Sequence, residues 1–160
     1  MSFAEFDKRL RNIEDRIAIE DLICELGMRA DLKQFDKIPS LLMTDALFDY
    51  SDLYGEEFKD VPISAFTEGR SGFQPGFDAA HHQKDSFLIE IDGDSATAYS
   101  QLRATHRIGD RLWVVGGTYF HELARAEGRW KVARATLKVA FQEGERLDLE
   151  ARRRLGSSGR

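Results

Sequence analysis

Two adjacent histidines, His81 and His82, precede an apolar run at residues 87–91, and one carboxylate, Asp31, lies far upstream at the end of a long amphipathic segment. Histidine is the natural proton acceptor near neutral pH, because its unperturbed pKa is about 6.5. A carboxylate bonded to one ring nitrogen fixes the tautomer and stabilises the imidazolium as it forms. An unpaired carboxylate beside an apolar stripe is costly. We therefore predict that Asp31 and one of these histidines meet in a closed pocket and transfer protons there.

Which histidine points into the pocket depends on the register of the following strand. Strict alternation backward from Phe87 puts His81 on the inward face. A bulge before Ser86, or a loop reaching up to His82, would turn His82 inward instead. Spacing alone leaves both choices open.

The other candidate residues each have a structural and a functional interpretation. His106 and His121 are expected to be structural or surface histidines, and the four histidines show no spacing typical of metal ligands. We predict no metal site. Tyr50, Trp113 and Tyr119 are expected either to line the pocket and bind substrate or to pack in the core. The phenol of Tyr50 could polarise a substrate carbonyl.

Composition limits the class of protein. The chain has 160 residues, 42% hydrophobic residues and a net charge of -5, which fit one domain and argue against general affinity for nucleic acid or an anionic membrane. No window is apolar enough to span a membrane and no signal peptide is evident, so we predict a cytoplasmic protein. The single cysteine, Cys24, excludes an internal disulfide, and its apolar neighbours predict a buried, unreactive thiol.

Hydrophobic periodicity predicts helices first and strands later. A capping box at Ser2 and Glu5 opens a helix to about Ala30, with a possible break near its middle, and its apolar stripe is expected to be buried. Gly27 would let another element approach this helix closely. A second helix is expected at residues 35–43 and a strand at residues 46–50. Residues 51–80 form a long connection that covers a pocket and holds a short helix at residues 63–69.

The second half reads as an antiparallel meander. Turns at residues 92–94, 109–110 and 126–128 separate strands at residues 87–91, 95–108, 111–125 and 130–141. The pair Gly116–Gly117 marks a bulge or bend that curves the sheet. The order predicts an α+β fold with a curved sheet around the long helix. We predict one domain over residues 1–143 and a tail at 144–160, helical near 146–155 and disordered from 156.

Several segments together resemble a known family. They are IEDRIAIEDL at residues 13–22, Ala30-Asp31, LLMTDALFDY at residues 41–50, His82 with Ser86 four residues on, the turn at 92–94, and the motifs at residues 116–119 and 128–132. The set resembles SnoaL-like proteins of the nuclear transport factor 2-like superfamily over roughly residues 6–141. The resemblance implies a cone-shaped α+β fold, with a mixed or antiparallel sheet and a pocket in its open end. It also implies cofactor-free elimination or isomerisation of a small apolar, possibly cyclic molecule.

The family register selects the histidine. Its His–Asp pair falls on His82 and Asp31, which would serve as base and orienting carboxylate, with His81 as second choice. Some proteins that this chain resembles are dehydrochlorinases, and an arginine in their pocket would fall on Ala135. Arg134, the next residue along the chain, is a possible substrate-binding group. That departure puts the dehydrochlorinase activity in doubt.

The resemblance also implies a homo-dimer or homo-trimer. The alternatives are a non-catalytic small-ligand-binding protein, a structural small subunit of an assembly, or a polar pair that is only a structural device in the core.

Overall fold

The computed structural model describes residues 2–68 and 73–157. Its first element is helix α1, Phe3–Asp31, which runs without a break. The hydroxyl of Ser2 accepts from the backbone N–H of Glu5, and the carboxylate of Glu5 accepts from the backbone N–H of Ser2. This capping box satisfies two amide groups that lack partners inside the helix.

Five strands form one curved, mixed sheet in the order β1-β5-β4-β3-β2. Strands β2 to β5 form the predicted meander, while β1 pairs with β5 in parallel. Their bounds are β1, Leu42–Asp49; β2, Ala79–Asp92; β3, Ser95–Ile108; β4, Arg111–Ala126; and β5, Arg129–Gly144. The sheet wraps around α1, so the predicted α+β cone is confirmed. Strand β2 begins eight residues earlier than the apolar run indicated, so His81 and His82 lie within it.

The connection between β1 and β2 closes one end of the cone. It contains α2, Ser51–Tyr54, α3, Ser64–Thr67, and short 3-10 helices at Glu56–Phe58 and Gln74–Gly76. The helix expected at residues 35–43 is a 3-10 helix, Phe35–Leu41, with Pro39 inside it. The end of the helix predicted at residues 63–69 lies outside the described residues. The connection contributes tightly packed aromatic side chains to the core, namely Tyr54, Phe58, Phe66, Phe73 and Phe77.

Helix α4, Asp148–Ser157, follows β5. Leu147, Asp148 and Ala151 are buried, so the start of the predicted tail packs on the domain. The division at residue 143 stays a prediction. The predicted disorder falls partly on residues 158–160, which are outside the described residues.

Half of the apolar stripe on α1 is not buried as predicted. Ile19, Leu22 and Ile23 face the sheet, but Phe3 is 88% exposed and four further stripe residues, Phe6, Leu10, Ile13 and Ile17, are exposed as well. The exposed stripe extends to Ile17, although the neighbouring residues Asp15 and Arg16 bond to the sheet, so this apolar face of the helix points away from the sheet.

The junction between the two halves of α1 is held to the sheet by polar contacts. Asp15 accepts from Arg125 at 2.8 Å and from the indole of Trp130 at 3.0 Å. These contacts fix the angle at which the C-terminal half of α1 crosses the sheet.

Candidate functional site

A cavity of about 60 Å³ lies between the C-terminal half of α1, the concave face of the sheet and the aromatic connection. Its polar lining includes His82, Lys84, His106, Tyr50 and Tyr119. The remaining wall is mostly apolar. A small number of polar groups in an apolar concavity is typical of a ligand site.

Asp31 and His82 are in direct contact. Asp31 Oδ1 lies 2.5 Å from His82 Nδ1, and Asp31 Oδ2 accepts from the backbone N–H of His82 at 2.8 Å. The two side chains are only 15% and 11% exposed. Two bonds from one carboxylate fix both the ring and the strand segment that carries it.

The ionised state of the Asp31 carboxylate determines which ring nitrogen of His82 carries a proton. Burial alone would raise the pKa of Asp31, but the hydrogen bonds and charge of His82 hold that pKa below its ordinary value. An ionised carboxylate only accepts hydrogen bonds, so the proton lies on Nδ1 of His82. In the neutral form of His82, the lone pair therefore lies on Nε2, which is the arrangement that a general base requires.

A bulge in β2 turns His82 inward. Asp85 pairs with Gln101 and Leu88 with Tyr99, so Ser86 and Phe87 together face one residue of β3. Ser86 takes a positive φ of 56° there. The extra residue shifts the alternation by one. The structure therefore corrects the alternative assignment of His81, which is exposed and not part of the cavity lining.

Gly27 brings α1 and β2 together, as predicted. A Cβ added there would lie 3.2 Å from His82 Cβ and 3.3 Å from Lys84 Nζ. Both distances are tighter than most real contacts. The absent side chain is what lets this part of β2 lie against the helix.

His106 is a site residue that sequence reasoning assigned to structure. It is 2% exposed, lines the cavity, and its ring centroid lies 5.5 Å from that of His82 in an edge-to-face arrangement. Neither ring nitrogen forms a regular hydrogen bond to a described residue. Burial, assisted by the charge of His82, lowers the pKa of His106 to about 3, although the nearby backbone of Trp113 opposes the shift. His106 is thus a neutral donor and acceptor; alternation had already placed it inward with Ala104.

His121 differs from His106 because it is buried but does not line the cavity. Its ring packs at 5.1 Å on Tyr119, and burial, with the charge of Lys84, lowers its pKa to about 3. This agrees with the structural assignment made from sequence.

Tyr50 and Tyr119 lie together on the aromatic side of the cavity, and Tyr119 also borders Lys84. The hydroxyl of Tyr119 donates to that of Tyr50 at 3.1 Å. Burial raises the pKa of Tyr119 to about 12 and that of Tyr50 well above its ordinary value. Both phenols are neutral, and Tyr50 still carries a proton that it can donate.

Three other residues are corrected by the structure. Trp113 is fully buried behind His106, with ring centroids 5.1 Å apart, and does not line the cavity. Arg134 points away and pairs with Asp60, because neighbours on a strand face opposite sides. Cys24 is exposed, since it lies on the outer face of α1.

Lys84 received no role from sequence, yet it lines the cavity. Its position two residues after His82 on β2 was the available signal, because such residues share a face. For metals, residues 2–68 and 73–157 contain no group of three His, Cys, Asp or Glu side chains arranged to hold an ion. The prediction of no cofactor stays a prediction.

Comparison with known proteins identifies the family. A model described as a SnoaL-like domain matches residues 11–136, so this chain belongs to the SnoaL-like family, as the sequence motifs indicated. The uncharacterized protein Rv2910c of Mycobacterium tuberculosis is 26% identical over 136 residues, which are 82% of this chain and 89% of the relative.

Solved structures share the fold. The Kfla4162 protein from Kribbella flavida has a TM-score of 0.73 at 27% identity, covering 89% of this chain and 99% of its own. A protein proposed to be a scytalone dehydratase from Novosphingobium aromaticivorans has a TM-score of 0.72 at 20% identity, covering 84% and 90%. The hexachlorocyclohexane dehydrochlorinase LinA-type3 from Novosphingobium barchaimii has a TM-score of 0.69 at 17% identity, covering 86% and 94%.

Proposed function

We propose that this protein is a cofactor-independent lyase or isomerase that removes a proton from a small, largely apolar and possibly cyclic substrate. The observation that carries the proposal is the contact between Asp31 and His82 at the edge of an apolar cavity. His82 is the base and Asp31 orients it. A largely buried carboxylate such as Asp31 is costly to maintain, which favours a chemical role over a packing role.

The chemistry follows from the tautomer. Nε2 of His82 takes a proton from a carbon next to an activating group, and Asp31 stabilises the imidazolium that results. The proton can then return to another carbon, which is isomerisation, or go to a leaving group, which is elimination. His106, beside His82, and Tyr50 are neutral donors in the cavity lining that can contact a bound molecule. The cavity of about 60 Å³ favours a compact substrate.

Proton abstraction can be tested before the substrate is known. A panel of small cyclic ketones in deuterium oxide is followed by proton NMR for loss of the signals next to the carbonyl. We expect the wild type to catalyse exchange of at least one ketone, and His82→Gln to reduce the rate by about 10² to 10⁴-fold. His81→Gln is the matched control, because this neighbour on the same strand is exposed.

The non-catalytic alternatives predict a different result. If a ketone binds wild type and His82→Gln equally and no exchange occurs with either, the protein is a small-ligand-binding protein or a structural subunit. The same fold serves both uses.

We also propose a homo-dimer or homo-trimer. Support comes from exposed apolar side chains on α1 and on the outer face of the sheet, such as Phe3, Ile17, Leu88 and Tyr99, of which Leu88 is 71% exposed. Sedimentation at micromolar concentration should give a species larger than one chain. No helix of the described residues is long and apolar enough to cross a membrane. The cytoplasmic location stays a prediction.

A further inference from the structure

Lys84 brings a positive charge to the cavity wall. Its Nζ donates to the backbone oxygen of Ile23 at 2.9 Å and lies 5.2 Å from the ring centroid of Tyr119. Among the described residues, no carboxylate lies within ion-pair distance of this ammonium group. Lys84 is half-buried, and a lysine withdrawn from water in this way normally has a counter-ion.

The groups around Lys84 do not neutralise it. Tyr119 and His121 are both held in their neutral forms by burial. The thiol of Cys24 interacts with Lys84 more strongly than Asp31 does, but burial raises the pKa of that thiol and keeps it neutral. The carboxylate of Asp31 interacts more weakly with Lys84 and is already engaged by His82. Burial lowers the pKa of Lys84 to about 8, so most molecules still carry the charge at neutral pH. Among the described residues of the cavity wall, Lys84 therefore has no negatively charged partner, and a negatively charged ligand group could take that place.

Lys84 and His82 are arranged to act on one molecule. They share the inward face of β2, and two residues along a strand separate their backbones by about 7 Å. His82 Cβ and Lys84 Nζ both lie within 3.3 Å of the point where a Cβ on Gly27 would be. A carbon that gives up a proton and the oxygen of an adjacent carbonyl group are only a few bonds apart, so one small ligand can reach both groups.

We propose that Lys84 binds the substrate oxygen that becomes negative when His82 removes the proton, so the substrates are small aldehydes, ketones or esters. This inference rests on the proposed function. The C–H bond breaks, its proton goes to Nε2 of His82, and its electron pair moves through the adjacent carbon to the carbonyl oxygen. The resulting enolate is paired with the Lys84 ammonium. Collapse of the enolate either takes the proton back at another carbon or expels a leaving group, which receives the proton from His82.

Lys84 acts here as a charge and not as a nucleophile. Its pKa of about 8 leaves the ammonium form predominant at neutral pH, and that form has no lone pair. Pre-placed charges of this kind act where negative charge develops during the reaction and need no reorganisation at that moment.

Two probes of oxygen-anion binding test the proposal without any turnover. Para-nitrophenol reports its own ionisation by the colour of the phenolate, and azide is a compact anion that suits a small cavity. We expect wild type to bind para-nitrophenol as the phenolate, with an apparent pKa about one unit below the value in water. Lys84→Met should abolish that shift and weaken azide binding about tenfold or more, whereas Lys84→Arg should retain most of both.

Matched variants separate Lys84 from the base and from general charge. Lys8→Met removes an exposed lysine of α1 and should change neither probe. His82→Gln should keep the shift in phenolate ionisation although it loses deuterium exchange. The inference would be overturned if the shift in the para-nitrophenol pKa were lost in His82→Gln and kept in Lys84→Met. Failure of wild type to bind either probe would overturn it as well.

The two proposals can fail separately. Lys84-dependent anion binding without ketone exchange in wild type would remove the proposed reaction and leave the anion site. Exchange that depends on His82 and is unchanged in Lys84→Met would keep the reaction and remove the role of Lys84.

Discussion

The two walls of the cavity are built in different ways. The charged wall, formed by Asp31, His82 and Lys84, comes from the end of α1 and from β2, and depends on hydrogen bonds and on the close approach at Gly27. The aromatic wall, formed by Tyr50, Tyr54, Phe66 and Tyr119, is held by ring packing and burial, with the rings of Tyr50 and Phe66 4.7 Å apart. The comparison suggests that chemistry is set by the register of one strand and shape by the size of the rings. Substitutions on the two walls should therefore have separable effects.

The largest expected effect is on the charged wall. Asp31→Asn replaces an acceptor by an amide that can donate to Nδ1 and so favour the tautomer that carries its proton on Nε2. We expect ketone exchange to fall by about 10² to 10⁴-fold while the protein remains folded. Asp21→Asn, at an exposed position on the same helix, is the control. Equal exchange by the two variants would mean that Asp31 does not orient the base.

Phe66→Ala tests the aromatic wall. Phe66 is 2% exposed and packs on several other rings, so its truncation leaves a cavity and should lower the free energy of unfolding by about 3–5 kcal/mol. Urea denaturation measures this loss. Phe66→Leu should lose less. If the folded fraction of either variant exchanged ketones hundreds of times more slowly than wild type, the two walls would not be separable.

The pH dependence of stability distinguishes buried histidines from the exposed one. His121 has a pKa of about 3 in the folded protein, and its unfolded value is near 6.5. Between these values the unfolded state binds more protons, so His121 makes the free energy of unfolding decrease as pH falls from 6.5 towards 3, by about 1 kcal/mol per pH unit. His121→Phe should remove this contribution to the slope, while His106, whose pKa is also lowered to about 3, keeps contributing its own. His81→Gln should keep the whole slope.

The carboxylate of Asp31 acts in a lower window. Its folded pKa is depressed, so its stabilisation is present above its unfolded pKa and is lost as pH falls through the folded value. Measurements between pH 5 and 6.5 therefore isolate the histidine contribution. An unchanged slope there in His121→Phe would contradict the burial of a neutral imidazole.

The smallest expected effect is at Gly27, where helix α1 contacts strand β2. Gly27→Ala gains helix propensity of about 0.5–1 kcal/mol but presses on His82 and Lys84. We expect the free energy of unfolding to change by less than about 1 kcal/mol, and ketone exchange to fall about tenfold because a small displacement of a base is costly in rate. A large loss of stability with unchanged exchange would show that β2 does not need this approach.

Much of the fold could be predicted from sequence, because it depends on local signals. A few neighbouring residues are enough to specify the capping box at Ser2, each hairpin turn and the irregularity at Gly116–Gly117. The register between β4 and β5 does shift between Gly116 and Gly117. The exposed start of α1 could not be predicted, because periodicity shows that a face is apolar and not what covers it. Cys24 was misjudged for the related reason that its neighbours in sequence point to another side of the helix.

The site was predictable in part. The family resemblance led to the choice of Asp31 and His82, whereas strand alternation alone favoured His81. Alternation failed because the bulge at Ser86 depends on how β2 pairs with β3, which the sequence of β2 does not show. Lys84 and His106 were not assigned because burial of a polar group is a property of the assembled cavity. The role given to Arg134 failed because this residue lies on the outer face of its strand, and that given to Trp113 failed because its ring is buried behind His106.

The bulge at Ser86 also has a meaning for chain length. Deleting a residue elsewhere in β2 would exchange inward and outward side chains over part of the strand. Deleting Ser86 alone would leave Phe87 opposite Ser100 and keep His82 and Lys84 inward, since each retains its partner on β3. What would be lost is the local bend that an extra residue produces. A one-residue deletion at this position should therefore leave the same groups facing the cavity, and it would separate the effect of strand curvature from the effect of register.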